Sequence, residues 1–185
     1  MVSSPMVVIA SLVGCPLHGN VSDCETVVME LRRATTDDWA ASRDIRLRAL
    51  SQDPNAFCSS LESESGFDEQ RWRNRLGHGI TVLAWEGSDP VGTVTGKPDP
   101  HEEGGREIVA MWVAPAHRGT GLADSLIASV VDWAATEGAH EVALWVAEDN
   151  SRARSLYERV GFAATGETDA MRPGVDQLRM RLSLR

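Results

Sequence analysis

The alternation of apolar and polar positions divides the chain into short β-branched runs and longer stretches whose apolar residues recur at helical spacing. Residues 30–35 read as a first strand. Thr36-Asp37-Asp38-Trp39 then opens a helix, with a side-chain oxygen at the cap and acids in the first turn. Its uneven apolar face, Trp39, Ile45, Leu47 and Leu50, runs to Ser51, and Asp53-Pro54-Asn55 breaks it. A short helix is expected over 67–76. Residues 80–86 and 91–96, parted by Gly87-Ser88-Asp89-Pro90, form a hairpin, and after a polar loop over 98–106 a central strand spans 107–113. The next stretch, 120–137, places Leu122, Leu126, Ile127, Val130, Val131 and Ala134 on one stripe and closes at Gly138. Residues 141–146 form the following strand, and because a helix connects it to the central strand the two are expected to run parallel. Asp149-Asn150-Ser151 caps a helix over 152–160 that Gly161 ends. A hairpin of 162–167 and 177–184 closes the chain, the latter alternating Leu178, Met180, Leu182 and Leu184 with Gln177, Arg179, Arg181 and Ser183.

Composition narrows the class. With 185 residues, 42% of them hydrophobic, the chain can bury one sizeable core, so a single domain is expected. A net charge of -9 argues against a nucleic-acid partner, which needs a concentrated basic face. Cys15, Cys24 and Cys58 are odd in number and lack Cys-x-x-Cys spacing, and the five histidines show no paired ligand spacing. No disulfide framework and no metal are expected, and a reducing cytoplasm is the simpler compartment. Residues 1–29 contain no Lys or Arg, and Pro, Gly and Ser break their apolar run, so no membrane-spanning helix is expected. Leu12-Val13-Gly14-Cys15 has the form of a lipoprotein cleavage box but lacks the positive region before it. The expectation is a flexible extension over 1–29 and one domain over 30–185, with a chain starting at Met29 keeping its folding and activity.

Two segments carry candidate chemistry. In the first, Val113-Ala114-Pro115-Ala116-His117-Arg118-Gly119-Thr120-Gly121-Leu122-Ala123, a strand passes into a helix through a loop whose glycines can bend tightly and approach a ligand closely. The helix start offers unpaired N–H groups to an anion, and Arg118 adds a positive charge. Turns also use glycine for conformation alone, so the loop by itself is a weak signal. The stretch from Gly92 to Pro98 mimics a P-loop, but it is one residue short between its glycines and has proline where a metal-binding hydroxyl belongs. The second segment is Asn150-x-x-Ala153-x-x-x-Tyr157-x-x-x-Gly161-Phe162. Tyr157 is the only tyrosine of the chain.

Arg118-x-x-Gly121-x-Ala123 resembles the acetyl-CoA pyrophosphate loop of the GNAT N-acetyltransferase superfamily, and the Asn150 to Phe162 segment resembles the one that follows the family's fifth strand. The resemblance covers residues 30–184. It implies an α/β fold, a mixed and mainly antiparallel sheet of roughly six to seven strands flanked by about four helices, with a parallel step at the cofactor. It also implies acetyl transfer from acetyl-CoA, without a metal, to a primary amine that attacks directly in a ternary complex. On this pattern the backbone of Met111, Trp112 and Val113 pairs with the pantetheine arm, and the Val113 N–H faces the oxyanion. Arg118, Gly119, Thr120, Gly121, Leu122 and Ala123 hold the pyrophosphate, and Asn150 touches the arm. Tyr157 protonates the departing thiolate. Glu107 takes the amine proton through water, with Glu62, Glu64 and Asp149 in reserve. Trp112 or Trp145 lines the acceptor pocket, unless both simply pack the core.

Five acids between Ser51 and Gln70, Asp53, Glu62, Glu64, Asp68 and Glu69, read either as a solvated face or as a negative rim that draws a protonated amine. A small cationic amine is therefore the expected acceptor. A protein N-terminal or lysine acetyltransferase and a non-catalytic acyl-CoA-binding module are the alternatives, and the oligomeric state stays open, a homodimer included.

Overall fold

The computed structural model describes residues 7–13 and 25–184, with side chains from Val28 onward. In chain order the elements are β1 (Val7–Val13), β2 (Glu25–Arg33), α1 (Trp39–Gln52), α2 (Leu61–Ser65), α3 (Glu69–Leu76), β3 (Ile80–Glu86), β4 (Asp89–Pro98), β5 (Arg106–Val113), α4 (Leu122–Thr136), β6 (Glu141–Ala147), α5 (Ser151–Arg159), β7 (Ala163–Arg172) and β8 (Val175–Ser183). The strands form one sheet in the order β1-β2-β3-β4-β5-β6-β8-β7. Every pairing is antiparallel except β5 with β6, which the α4 crossover makes parallel.

Eight strands and five α-helices among the described residues exceed the expected six to seven and four. The extra strand is β1, whose partner β2 starts at Glu25 rather than at residue 30. Val7–Val13 is apolar apart from Ser11 and shows no alternation to mark it as a strand; pairing with β2 makes it one. A chain starting at Met29 loses β1 but keeps the β2–β3 register from Met29↔Glu86 to Arg33↔Val82. Gly14 and Cys15 of the cleavage-like box lie outside the described residues. The extra helix, α2, has only five residues, too few for an apolar stripe, and starts where the Ser60 side chain accepts the Ser63 N–H.

Helices cover both faces of the sheet. On one, Leu122, Leu126, Ile127, Val130 and Ala134 of α4 pack onto Val82, Val94, Ile108, Val142 and Leu144, each buried aliphatic side chain contributing about 2 kcal/mol. The P-loop mimic belongs to this contact. Gly96 lies under α4, where an added Cβ would stand 2.5 Å from Val130 Cγ1, so glycine there permits close helix packing and holds no phosphate. On the other face a smaller cluster joins Ile45 and Ala49 of α1, Leu76 of α3, Leu83 and Trp112.

Two departures from regular pairing open the sheet. β5 pairs with β6 over three residues only, Arg106↔Val142, Glu107↔Ala143 and Ile108↔Leu144, whereas β6 pairs with β8 along its whole length. Past Ile108, β5 therefore has a ladder partner on its β4 side alone. On that side the register jumps from Thr95↔Val109 to Thr93↔Trp112, so Ala110 and Met111 oppose the single residue Val94. Ala110 absorbs this bulge at φ 54°, a left-handed conformation that costs a residue with a Cβ about 1 kcal/mol.

Candidate active site

The free edge of β5 runs into the glycine loop. Ala114 N–H donates to Val91 O at 2.9 Å, and by strand alternation the Val113 N–H faces away from β4, toward the opening. Met111 is half-buried, while Trp112 and Val113 are buried. Gly119 and Gly121 adopt φ 81° and 86°, and a Cβ on either would meet nothing, so conformation rather than crowding calls for glycine. Gly121 is the N-cap of α4 and brings no capping side chain, so no cap side chain takes the first amides of the helix. Leu122 itself is fully buried, which leaves only its backbone available to a ligand.

Arg118 does not project from this loop as a free charge. Its Nε donates to Val113 O at 2.8 Å and its Nη2 to Asp53 Oδ2 at 2.5 Å, and the same carboxylate oxygen accepts Trp112 Nε1–H at 2.7 Å. Burial pushes the Asp53 carboxyl up, and hydrogen bonds from Trp112 and Arg118 more than reverse this, holding it below the ordinary carboxylate value. His117 Nε2 lies 3.0 Å from Glu86 Oε2, and Thr120 Oγ1 donates to His117 O at 2.8 Å. The loop is thus tied at three points. Asp53, read from sequence as one acid of a rim, is its anchor; partners 59 and 65 residues away left no local signal of that role.

Asn150 is the N-cap of α5, its Oδ1 accepting the Ala153 N–H at 3.1 Å, which leaves its amide nitrogen and a second lone pair of Oδ1 to reach a cofactor arm. Tyr157, two turns on, faces the core under α4 and packs edge-on against Phe162 at 5.9 Å between ring centres. Burial pushes its hydroxyl up from 10.0 to about 12, so it stays protonated at neutral pH.

Across the sheet from Tyr157 lies a cavity of about 650 Å³. Glu107, Ile108, Val109 and Ala110 of β5 and Trp145 and Ala147 of β6 form its floor, so the parting of the two strands opens into it. Trp145, not Trp112, is the tryptophan that lines it; Trp112 packs the α1 cluster. Glu107 is buried and its Oε2 pairs with Lys97 Nζ at 2.9 Å, a partner that periodicity on either strand does not reveal. Among the described residues no group of three His, Cys, Asp or Glu side chains could hold a metal ion.

Four of the five acids of the expected rim are committed elsewhere, and Glu62 on α2 stays exposed. Asp53 is committed to the loop, Asp68 caps α3 through the Arg71 N–H, Glu69 pairs with Arg73 at 2.7 Å, and Glu64 is sequestered with only 1% exposure. Arg46 Nη2 and Arg75 Nη1 reach the two Glu64 oxygens at 2.8 and 2.7 Å. Burial pushes Glu64 up, but these two guanidiniums bring it down from 4.5 to about 2. A lowered folded value means that the pairing stabilises fully above the unfolded value of 4.5 and loses this contribution as pH falls toward 2. Thermal midpoints of the native chain should therefore fall more steeply below about pH 5 than those of Glu64→Gln, in which this titration is absent. Parallel curves would remove Glu64 from the acid transition.

The family model described as "Acetyltransferase (GNAT) family" matches residues 47–162. The mycothiol acetyltransferase of Renibacterium salmoninarum is 28% identical over 131 residues, 68% of this chain and 38% of that protein. N-acetyltransferase family 8 member 2 of Rattus norvegicus is 33% identical over 92 residues, 48% of this chain and 41% of that protein. The chain thus spans about two fifths of the length of these two relatives. Among solved structures, yncA of Salmonella typhimurium, determined with its cofactor acetyl-CoA, superposes with a TM-score of 0.71 over 85% of this chain and 94% of that one. At 20% identity that likeness is one of fold.

Proposed function

The chain belongs to the GNAT acetyltransferase family, and from that premise we propose that it transfers acetyl from acetyl-CoA to a primary amine. The observation that carries this reading is the β5 edge left without β6 past Ile108, leading directly to the uncapped start of α4. An extended pantetheine arm adds to such an edge as a strand would. The amides at the start of α4 receive the pyrophosphate, and Arg118 serves them indirectly, by holding the loop through Val113 O and Asp53.

In this reading the acceptor enters by the cavity and the thioester by the strand opening. The amine nitrogen attacks the thioester carbonyl carbon, and the Val113 N–H, facing the opening, stabilises the oxyanion. The C–S bond then breaks. Tyr157, held protonated by burial, gives its proton to the thiolate, and Glu107 accepts the proton that the amine sheds. The thiol, the acetylated amine and the two residues' exchanged protons balance, with bulk water restoring Tyr157 and Glu107.

The test is release of free coenzyme A from acetyl-CoA with a panel of amines and peptides, scored together with the mass gain of one acetyl group on the acceptor. Amine-dependent release supports the proposal. Tight acetyl-CoA binding with release no faster than background hydrolysis would favour the acyl-CoA-binding alternative instead.

A further inference from the structure

The cavity beneath α2 and α3 carries a charge opposite to that of the chain. Four cationic side chains line it, Arg46, Arg71, Arg75 and Lys97, against three carboxylates, Glu64, Glu107 and Asp169, in a chain of net charge -9. The pairing is also unequal. Lys97 neutralises Glu107, but a single carboxylate, Glu64, serves both Arg46 and Arg75, and Arg46 Nη1 is buried with no hydrogen-bond partner. Arg71 lies over the Phe67 ring at 3.6 Å and forms no ion pair with a carboxylate among the described residues. Asp169, the third acid, comes from β7 on the far wall, where its Oδ2 accepts from Gln177 Nε2 at 3.4 Å.

The α1–α3 wall therefore holds two guanidiniums, Arg71 and one of the pair at Glu64, in excess of its own carboxylates, and with Asp169 on the far wall the cavity keeps one net positive charge. A protonated polyamine would be repelled there. A carboxylate is the group that guanidinium geometry suits, because two parallel N–H donors meet its two oxygens. We propose that the acceptor of this enzyme is an amine that also bears a carboxylate, its acid group seated on Arg71 and Arg75 of α3 and its amine directed to Glu107 on the cavity floor. This deepens the acetyl-transfer reading above and rests on it. It replaces the cationic acceptor expected from the sequence, since four of the five rim acids are taken by Arg118, Arg46, Arg75, Arg73 and the α3 cap, with Glu62 left exposed.

The experiment compares amino acids with their own carboxamides as acceptors, at saturating acetyl-CoA. The acid is expected to exceed its amide in kcat/KM by about 10-fold, the size of one charge-assisted contact. Arg71→Gln should bring that ratio close to one by raising KM for the acid, and Arg71→Lys should restore part of it. The Arg71 side chain is exposed and lies against Phe67, and the backbone N–H that Asp68 caps is kept in the variant, so Arg71→Gln is expected to fold. Amides or plain polyamines accepted better than the acids would overturn this inference while leaving acetyl transfer intact. An Arg71→Gln loss shared equally by acid and amide would overturn it too. No acetylation of any amine would overturn the proposed function along with it.

Discussion

Replacing Tyr157 with phenylalanine should lower kcat by about 10²-fold while leaving acetyl-CoA affinity within about twofold of the native value. The expectation follows from what the substitution removes. The ring stays, so the edge contact with Phe162 at 5.9 Å and the packing under α4 are preserved. Only the hydroxyl is lost, and with it the proton that burial holds up to about 12. Steady-state turnover and equilibrium binding of coenzyme A, measured side by side, separate the two effects. Unchanged turnover would remove Tyr157 from the chemistry and leave it as a core aromatic. The same burial has a stability consequence of definite sign. The folded value lies above the unfolded 10.0, so the neutral form stabilises fully below pH 10 and the benefit is lost as pH rises toward 12.

The largest loss of stability is expected at Asp99. Its carboxylate, 0% exposed, accepts Arg179 Nη2 at 2.6 Å, and the Arg179 side chain is itself 1% exposed. The guanidinium stacks over Trp145 at 5.4 Å, which forms the cavity floor. Arg179 Nε and Nη1 are buried without hydrogen bonds, and Glu167 Oε2, at 3.6 Å from Nε, stands beyond hydrogen-bond reach. Asp99 is thus the only carboxylate within hydrogen-bond reach of this charge among the described residues. Asp99→Ala leaves the cation buried and uncompensated, at a cost of about 4 kcal/mol. For a domain of this size that corresponds to a fall in Tm of roughly 8–16 °C. Denaturant unfolding of Asp99→Ala and of the double variant Asp99→Ala/Arg179→Met checks the cause, since removing both charges should recover much of the loss. A single-variant loss below about 1 kcal/mol would show that water or Glu167 already satisfies the guanidinium.

Much of the fold was legible because its signals are local. The β3–β4 hairpin, the β5-loop-α4-β6 unit and the α5 cap lie within a residue or two of where periodicity, caps and glycine stops place them. Those devices act between residues a few positions apart, so the chain displays them in order. β1 and α2 were not legible, since β1 is apolar almost throughout and so shows no alternation, and the five residues of α2 are too few for an apolar stripe. The bulge at Ala110 escaped for another reason. Left-handed backbone ordinarily announces itself with glycine, and here an alanine occupies it.

The candidate site divides along the same line. By itself the sequence determined the glycine loop at the head of α4, the capped α5 with Tyr157 two turns along it, and Glu107 near the start of the central strand. Each depends on residue type and spacing within one segment. Only the tertiary structure decided how the charges pair. Asp53 reaches 65 residues to Arg118, Glu64 takes Arg46 and Arg75 from two different helices, and Asp99 meets Arg179 across 80 residues. Charge acts through space and is sensitive to burial, so a run of acids in sequence has no net field until the fold has assigned its partners. That assignment commits four of the five acids of the expected rim to arginines or a helix cap.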